Sequence, residues 1–249
     1  MATDADNIIL LSRNRLNQSG ATITVSGSSS GFYIDDAVDN NIETWWKGDV
    51  VDSATLTFDC GTIFSENGNR FYLNGNIEEF TLYYSADNVS FTEAYTTDSA
   101  SIAGLYTVTT PSSSRYWRLV VEDSGAAYPI IYHCGLYTYI HQFDDGENPK
   151  WSPNPKEAAR VYNNYIGRQW SQNWGEVQNI TLNLPNITPT THDTLKAWFK
   201  NYRNRCTMMP QPDVYPAELY ETRINSMPLS HRTNLKGNGF AGSINLVSA

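Results

Sequence analysis

Phe80-Thr81-Leu82-Tyr83-Tyr84-Ser85-Ala86-Asp87-Asn88-Val89-Ser90-Phe91 alternates apolar and polar residues and then breaks into turn chemistry. In an extended chain successive side chains point to opposite faces, so Phe80, Leu82 and Tyr84 share one side. Asp87 and Asn88 can bond their own backbone and reverse the chain as a hairpin turn. The same grammar recurs to either side. Upstream stands Ala54-Thr55-Leu56-Thr57-Phe58, and downstream Tyr116-Trp117-Arg118-Leu119-Val120-Val121. Gly, Ser, Asn and Asp clusters separate these runs. Short alternating strands with regular punctuation predict a mainly β fold, a sandwich or barrel.

The chain has 249 residues, of which 40% are hydrophobic and 17% charged. That length suits two domains, and the apolar share is enough for packed cores rather than a disordered tail. Sixteen Tyr and seven Trp suit pleated sheets and contact surfaces, because each ring offers an apolar face with a polar edge. The formal net charge of −9 argues against a nucleic-acid binder, which needs a basic surface. Residues 1–143 hold 6 Lys/Arg against 17 Asp/Glu, whereas residues 144–249 hold 11 against 9. Two such different surfaces point to two domains. Cys60, Cys134 and Cys206 are odd in number and form no Cys-x-x-Cys pair, so neither a disulfide framework nor a zinc site is expected. No apolar run reaches the roughly 18 residues of a membrane span. Met1 to Asn7 carries two acidic residues and no basic one, which does not read as a signal peptide. Synthesis and folding in a reducing cytoplasm are expected.

The join between the halves is placed at residues 141–156, where Asp144-Asp145-Gly146 and Pro149, Pro153 and Pro155 should exclude a central strand. Lys156–Ile166 reads equally as helix or strand. Val177 to Leu184 alternates as a strand ending at Pro185. A helix should follow, with Thr190 as N-cap, Asp193 three residues on, and an apolar face of Leu195, Trp198, Phe199 and Tyr202. Asn204 to Pro210 should end it, and two strands are expected near Glu218–Ile224 and Phe240–Val247.

Four segments together resemble the discoidin, or coagulation-factor type C, family of galactose-binding-like domains. They are Ala37-Val38-Asp39-Asn40-Asn41-Ile42-Glu43-Thr44-Trp45-Trp46, Leu56-Thr57-Phe58-Asp59-Cys60-Gly61, the Phe80–Phe91 run, and Arg115-Tyr116-Trp117-Arg118-Leu119-Val120-Val121. They occur in family order. The resemblance implies a jelly-roll β-sandwich over residues 1–143, with binding loops at one end. Arg115 could pair with an acidic loop residue. In some members the first segment holds a structural calcium; here Asp39 and the Thr44 carbonyl would serve. Both positions after that Asp are Asn, and fewer charged ligands lower affinity. No other cofactor is expected.

Residues 144–249 resemble, in order of elements rather than by motif, the tail-tube-like and distal-tail-like domains of tailed bacteriophages. Those are small β-barrel-like α+β domains with one flanking helix, and they assemble in rings. The resemblance implies copies of the chain in a ring, other virion proteins as partners, and a virion location. Lys196, Lys200 and Arg203, off the apolar face of the helix, are the candidate assembly residues.

For ligand binding, Ser26-Gly27-Ser28-Ser29-Ser30-Gly31-Phe32-Tyr33 could form a sandwich loop offering ring faces, and Trp46 is a third candidate. Trp45 or Trp46 can equally plug the end of the core. No catalytic residue is expected. His133, His141, His192 and His231 are scattered, and Asp35-Asp36 and Asp144-Asp145 are sequence neighbours that need not face one cleft. The first expectation is a non-enzymatic virion structural protein of a phage tail, baseplate or neck. The alternative is a free carbohydrate-binding, lectin-like protein, and the third a glycoside hydrolase.

Overall fold

A computed structural model describes residues 8–39, 44–51, 53–64, 69–98, 103–109, 114–122, 127–143, 150–163, 169–210, 219–232 and 239–248. Among them the chain forms β1 (Ile9–Leu11), β2 (Thr22–Val25), β3 (Trp46–Lys47), β4 (Ser53–Phe64), β5 (Asn69–Gly75), β6 (Glu79–Ser85), β7 (Thr92–Thr97) and β8 (Ala103–Thr107). Then come β9 (Ser114–Glu122), β10 (Ile130–Gln142), β11 (Lys150–Asn163), β12 (Gln169–Ile187), α1 (Pro189–Tyr202), β13 (Cys206–Met209), β14 (Tyr220–Ser226), β15 (Leu229–Arg232) and β16 (Gly239–Ser248). The fold is mainly β, as the alternation requires.

One antiparallel sheet runs β2-β4-β9-β6-β7. A second sheet carries β3, β10, β5 and β8 opposite it, and the two inner faces interlock as a discoidin-like β-sandwich. Each strand contributes alternate residues to the core: Leu56 and Phe58 from β4, Phe80 and Leu82 from β6, Trp117, Leu119 and Val121 from β9, and Phe71 and Leu73 from β5. Burying such side chains is worth about 1.5–3 kcal/mol each. The β6–β7 connection closes with Asn88 at φ 61°, a left-handed conformation that Asn tolerates. The Asp87 carboxylate there accepts the Val89 and Ser90 N–H groups.

The second sheet does not stop at the sandwich. Its order is β11-β12-β16-β14-β13-β1-β10-β5-β8, with β15 on β16 and β3 on β10. The shared element is β1, which pairs with β10 on one side and β13 on the other. Leu10, after Ile8 just ahead of the strand, joins a core of Ile180, Leu182, Leu195, Trp198, Ile224, Ile244 and Leu246. Ile9 and Leu11 face the other way, onto Tyr72, Tyr137 and Met209. A run of four consecutive apolar residues is what a strand buried on both faces needs. Beyond it Asn14 accepts the N–H groups of Leu16 and Leu136 and donates to the Cys134 carbonyl, fastening the segment along β10.

Several local expectations are corrected. Pro153 and Pro155 exclude only a central strand, and the strand they do stand in, β11, ends the sheet order, where an edge strand can omit a ladder bond. Lys156–Ile166 resolves as strand through Asn163, and Asp144 to Pro149 lies outside the described residues. β12 runs past Pro185 to Ile187 because its register to β16 shifts between Leu184 and Ile187, which places the proline where pairing is interrupted. Cys206 to Met209, read as the end of the helix, forms the fully buried β13.

The helix cap also differs. Thr188, not Thr190, caps α1: its Oγ1 accepts the Thr191 N–H at 3.1 Å, with Pro189 in the first turn. Asp193 instead meets Nδ1 of His192 at 3.0 Å. The His192 ring is buried and stacked on Phe240 at 3.8 Å, so it packs as well as opening the helix. Leu195 and Trp198 are buried as the apolar face requires, and Trp198 Nε1 donates to the Leu11 carbonyl. Lys196, Lys200 and Arg203 stand exposed. Thr188→Ala is expected to lower stability by about 1 kcal/mol, and Thr190→Ala by less than about 0.5 kcal/mol. Thermal melts of the two variants decide this; equal losses would return the cap to Thr190.

Candidate functional site

The strand β3 has two residues, and their register fixes the character of one end of the sandwich. Trp46 lies opposite Ile131 and Lys47 opposite Ile130 on β10. Alternation then sends Trp46 inward and both Trp45 and Lys47 outward. Trp46 is 0% exposed, and its Nε1 donates to Ser28 Oγ at 2.7 Å. It therefore fills the core and cannot offer a face to a ligand, which corrects its place among the ligand candidates. Trp45, at 38% exposed, is the tryptophan of the pair that faces outward.

Around Trp45 the other rings converge. Its centroid lies 6.0 Å from Phe32 and 6.2 Å from Tyr132, the next residue of β10 beyond Ile131. Lys47 Nζ sits 4.7 Å from the Tyr128 ring centroid and 5.9 Å from that of Phe32. Tyr33 is 71% exposed. The structure thus brings Phe32, with Tyr33 next to it in the same loop, together with Trp45, Lys47, Tyr128 and Tyr132. The sequence signal for the last two was a Tyr-Pro turn and a Tyr on the face of β10 opposite Ile131, neither visible without the register.

The loop bearing Phe32 and Tyr33 is tied down by backbone. Ser26 N–H donates to the Thr55 carbonyl, Ser29 N–H to Lys47, and Phe32 N–H to Ser29. Gly48 N–H donates to the Pro129 carbonyl, joining the β3 and β10 ends. Gly31 has φ 86°, which a side chain would resist. At Gly27 an added Cβ would overlap the Asp49 carboxylate. A loop fixed this way loses little entropy when something binds.

The first segment's carboxylate behaves differently. Asp39 accepts the Thr44 hydroxyl at 2.8 Å, and Asn40 to Glu43 lie outside the described residues. Among the described residues no three His, Cys, Asp or Glu gather as a metal-binding group. Arg115 forms two bonds to Asp59, at 2.7 and 2.8 Å. Its partner is a strand residue, not a loop one. Arg115 first, then the Gly61 N–H, holds the Asp59 carboxyl below its usual range against the opposing effect of burial. The pair sits with Gly61 against Gly20, at the end of β4 away from Ser53, and reads as a fastening. Of the paired carboxylates, Asp35 and Asp36 occupy a short 3-10 turn, and Asp144 and Asp145 lie outside the described residues. A groove of about 100 Å³ lined by Glu79, Thr81, Thr96, Asp98 and Glu122 is small beside the ~300 Å³ of ordinary ligand pockets.

No protein-family model matches the sequence, and no curated protein does. Solved structures with a similar fold include a family 89 glycoside hydrolase from Clostridium perfringens in complex with 2-acetamido-1,2-dideoxynojirmycin, at 19% identity and TM-score 0.41. That similarity covers 53% of this chain and 15% of the hydrolase, so this chain spans a small part of its length. A carbohydrate-binding module from the same organism, in complex with GalNAc-beta-1,3-galactose, is 17% identical over 49% of this chain and 97% of the module, TM-score 0.42. Chitosan-binding module 1 of a chitosanase/glucanase from Paenibacillus sp. IK-5 is 22% identical over 50% and 98%, TM-score 0.44. The resemblance of residues 144–249 to phage tail domains gains no support from these likenesses.

Proposed function

We propose that the protein binds carbohydrate, in the manner of a lectin, through Trp45, Phe32, Tyr33 and Tyr132. The observation that carries this is the outward ring of Trp45, flanked by Phe32 and Tyr132 at 6.0 and 6.2 Å on a backbone-fixed end of the sandwich. A pyranose has one face of C–H groups that needs an apolar ring and a rim of hydroxyls that needs polar partners. Aromatic side chains with polar edges meet both requirements. Binding of this kind calls for no catalytic residue.

The site's position fits the role. β10 carries Ile130 and Ile131 beside Trp46 and Lys47 at one end, and Tyr139 to Gln142 beside β1 at the other. Its thirteen residues span roughly 40 Å. The rings therefore stand far from the junction with β13, β14 and β16, and the second half can be anchored without covering them.

A glycan array probed with the full chain is expected to give signal on a defined set of sugars. Trp45→Ala and Phe32→Ala should each cut the affinity for the best of them by tenfold or more, about 1.4 kcal/mol. A folded sample that binds no glycan, or variants that bind as well as the parent, would end this reading.

A further inference from the structure

Residues 1–143 contain one lysine, Lys47, and five arginines, Arg13, Arg15, Arg70, Arg115 and Arg118. Three of the arginines are committed elsewhere: Arg115 is paired with Asp59, Arg118 lies over Phe91 at 3.7 Å, and Arg70 over Tyr139 at 4.7 Å. Arg15 is buried against Asn69 and Thr138. Arg13 is exposed on the segment fastened along β10 between Ser12 and Arg15. Among the described residues of this half, Lys47 is the cation placed at the rings around Trp45.

Its surroundings are specific. The stem leaves β3 on the same face as Trp45, and the ammonium sits over Tyr128 at 4.7 Å with the Phe32 ring 5.9 Å away. Such contacts attract a cation to the ring faces but satisfy none of its hydrogen-bond donors. Among the described residues Lys47 makes no ion pair, although Asp35, Asp36 and Asp49 lie in the neighbouring loops. An ammonium partly stripped of water by rings, with donors still to place, is completed by an anion.

We propose that the sugar held on this surface carries a carboxylate, which Lys47 binds between the Tyr128 and Phe32 rings. The inference rests on the sugar-binding reading of the same rings. It favours one carboxylate over a polysulfated chain, because Lys47 is the one cation shown against these rings, in a half of the chain with 17 acidic residues against 6 basic ones. A polyanion would meet repulsion from that field, whereas one short-range ion pair is little affected by it. A uronic acid and a sialic acid both supply the group.

The full chain is titrated with galacturonic acid, its methyl ester, α2,3-sialyllactose and lactose. Expected is binding of galacturonic acid or sialyllactose about tenfold tighter than of its uncharged counterpart, since a hydrogen bond to a charged group is stronger than one between neutral groups. Which acid binds identifies the source of the carboxylate. Lys47→Gln should erase that preference, Lys47→Arg should keep most of it, and added salt should shrink it. If methyl ester or lactose binds as well as its acid and Lys47→Gln changes nothing, the carboxylate inference falls while the sugar platform stands. If the folded chain binds neither charged nor neutral glycan, both fall.

Discussion

Trp46→Ala is expected to cost about 3–5 kcal/mol of folding stability, whereas Trp45→Ala, one residue away, should change it by no more than about 1 kcal/mol. Trp46 is among the largest fully buried side chains, and its removal leaves a cavity the surrounding strands cannot close. It also takes away the Nε1 bond to Ser28 in the loop that carries Phe32 and Tyr33. A domain of this size has about 5–15 kcal/mol in hand, so the loss would consume a large share of it. The two variants should separate in opposite directions on two axes. Urea denaturation should single out Trp46→Ala, and glycan affinity at a temperature where both are folded should single out Trp45→Ala. Equal stability losses, or a larger one for Trp45→Ala, would mean that the register of β3 on β10 is not the one described.

That contrast also marks how far the sequence could be read. The strands around Phe80 and Trp117 were legible because each buries one face and exposes the other, so alternation shows directly. The same residues carried the discoidin-like pattern, but the partner of Arg115 was expected on a loop and is Asp59 on β4, brought near by the pairing of β4 with β9. Trp45 and Trp46 were not separable, because adjacent identical residues carry no phase. Which of them turns inward is set by pairing with Ile131, far along the chain. Ile8 to Leu11 hid for the opposite reason: β1 is buried on both faces, so it has no polar face to give it a period. Met208 and Met209 share that difficulty in β13. Pro185 did not end its strand, and Pro153 and Pro155 sit in one, because a proline excludes a strand only where its missing N–H would have been paired. An edge and a register shift both remove that requirement. Tyr128 and Tyr132 entered the site only with the sheet in hand, since neither lies near Trp45 in sequence.

Acid is expected to weaken the fold well above the range where carboxylates titrate, and His133 is the reason. The ring lies inside β10, with Nε2 3.2 Å from the Tyr137 hydroxyl and Tyr72 at 5.6 Å. Among the described residues Nδ1 has no partner, and Gly135 leaves the space that Tyr137 needs to reach back along the strand. Burial alone pushes the His133 pKa down from 6.5 to about 4. The neutral ring is therefore the folded form, while the unfolded chain binds a proton below 6.5. Stability is complete above pH 6.5, falls as the pH drops from there toward 4, and changes no further from this group below that. Across the window the loss is about 3 kcal/mol. Asp87, whose carboxyl is held down at about 2 chiefly by the Ser90 and Val89 N–H groups, acts in a lower window. Its contribution is present above pH 3.8 and disappears only as the pH approaches 2. Urea midpoints measured from pH 8 to pH 4 should trace the first window. His133→Gln keeps a polar partner for Tyr137 but cannot titrate, and it should flatten the curve between 6.5 and 4. A variant that loses stability in parallel with the parent over that interval would assign the effect to other groups and remove His133 from the account.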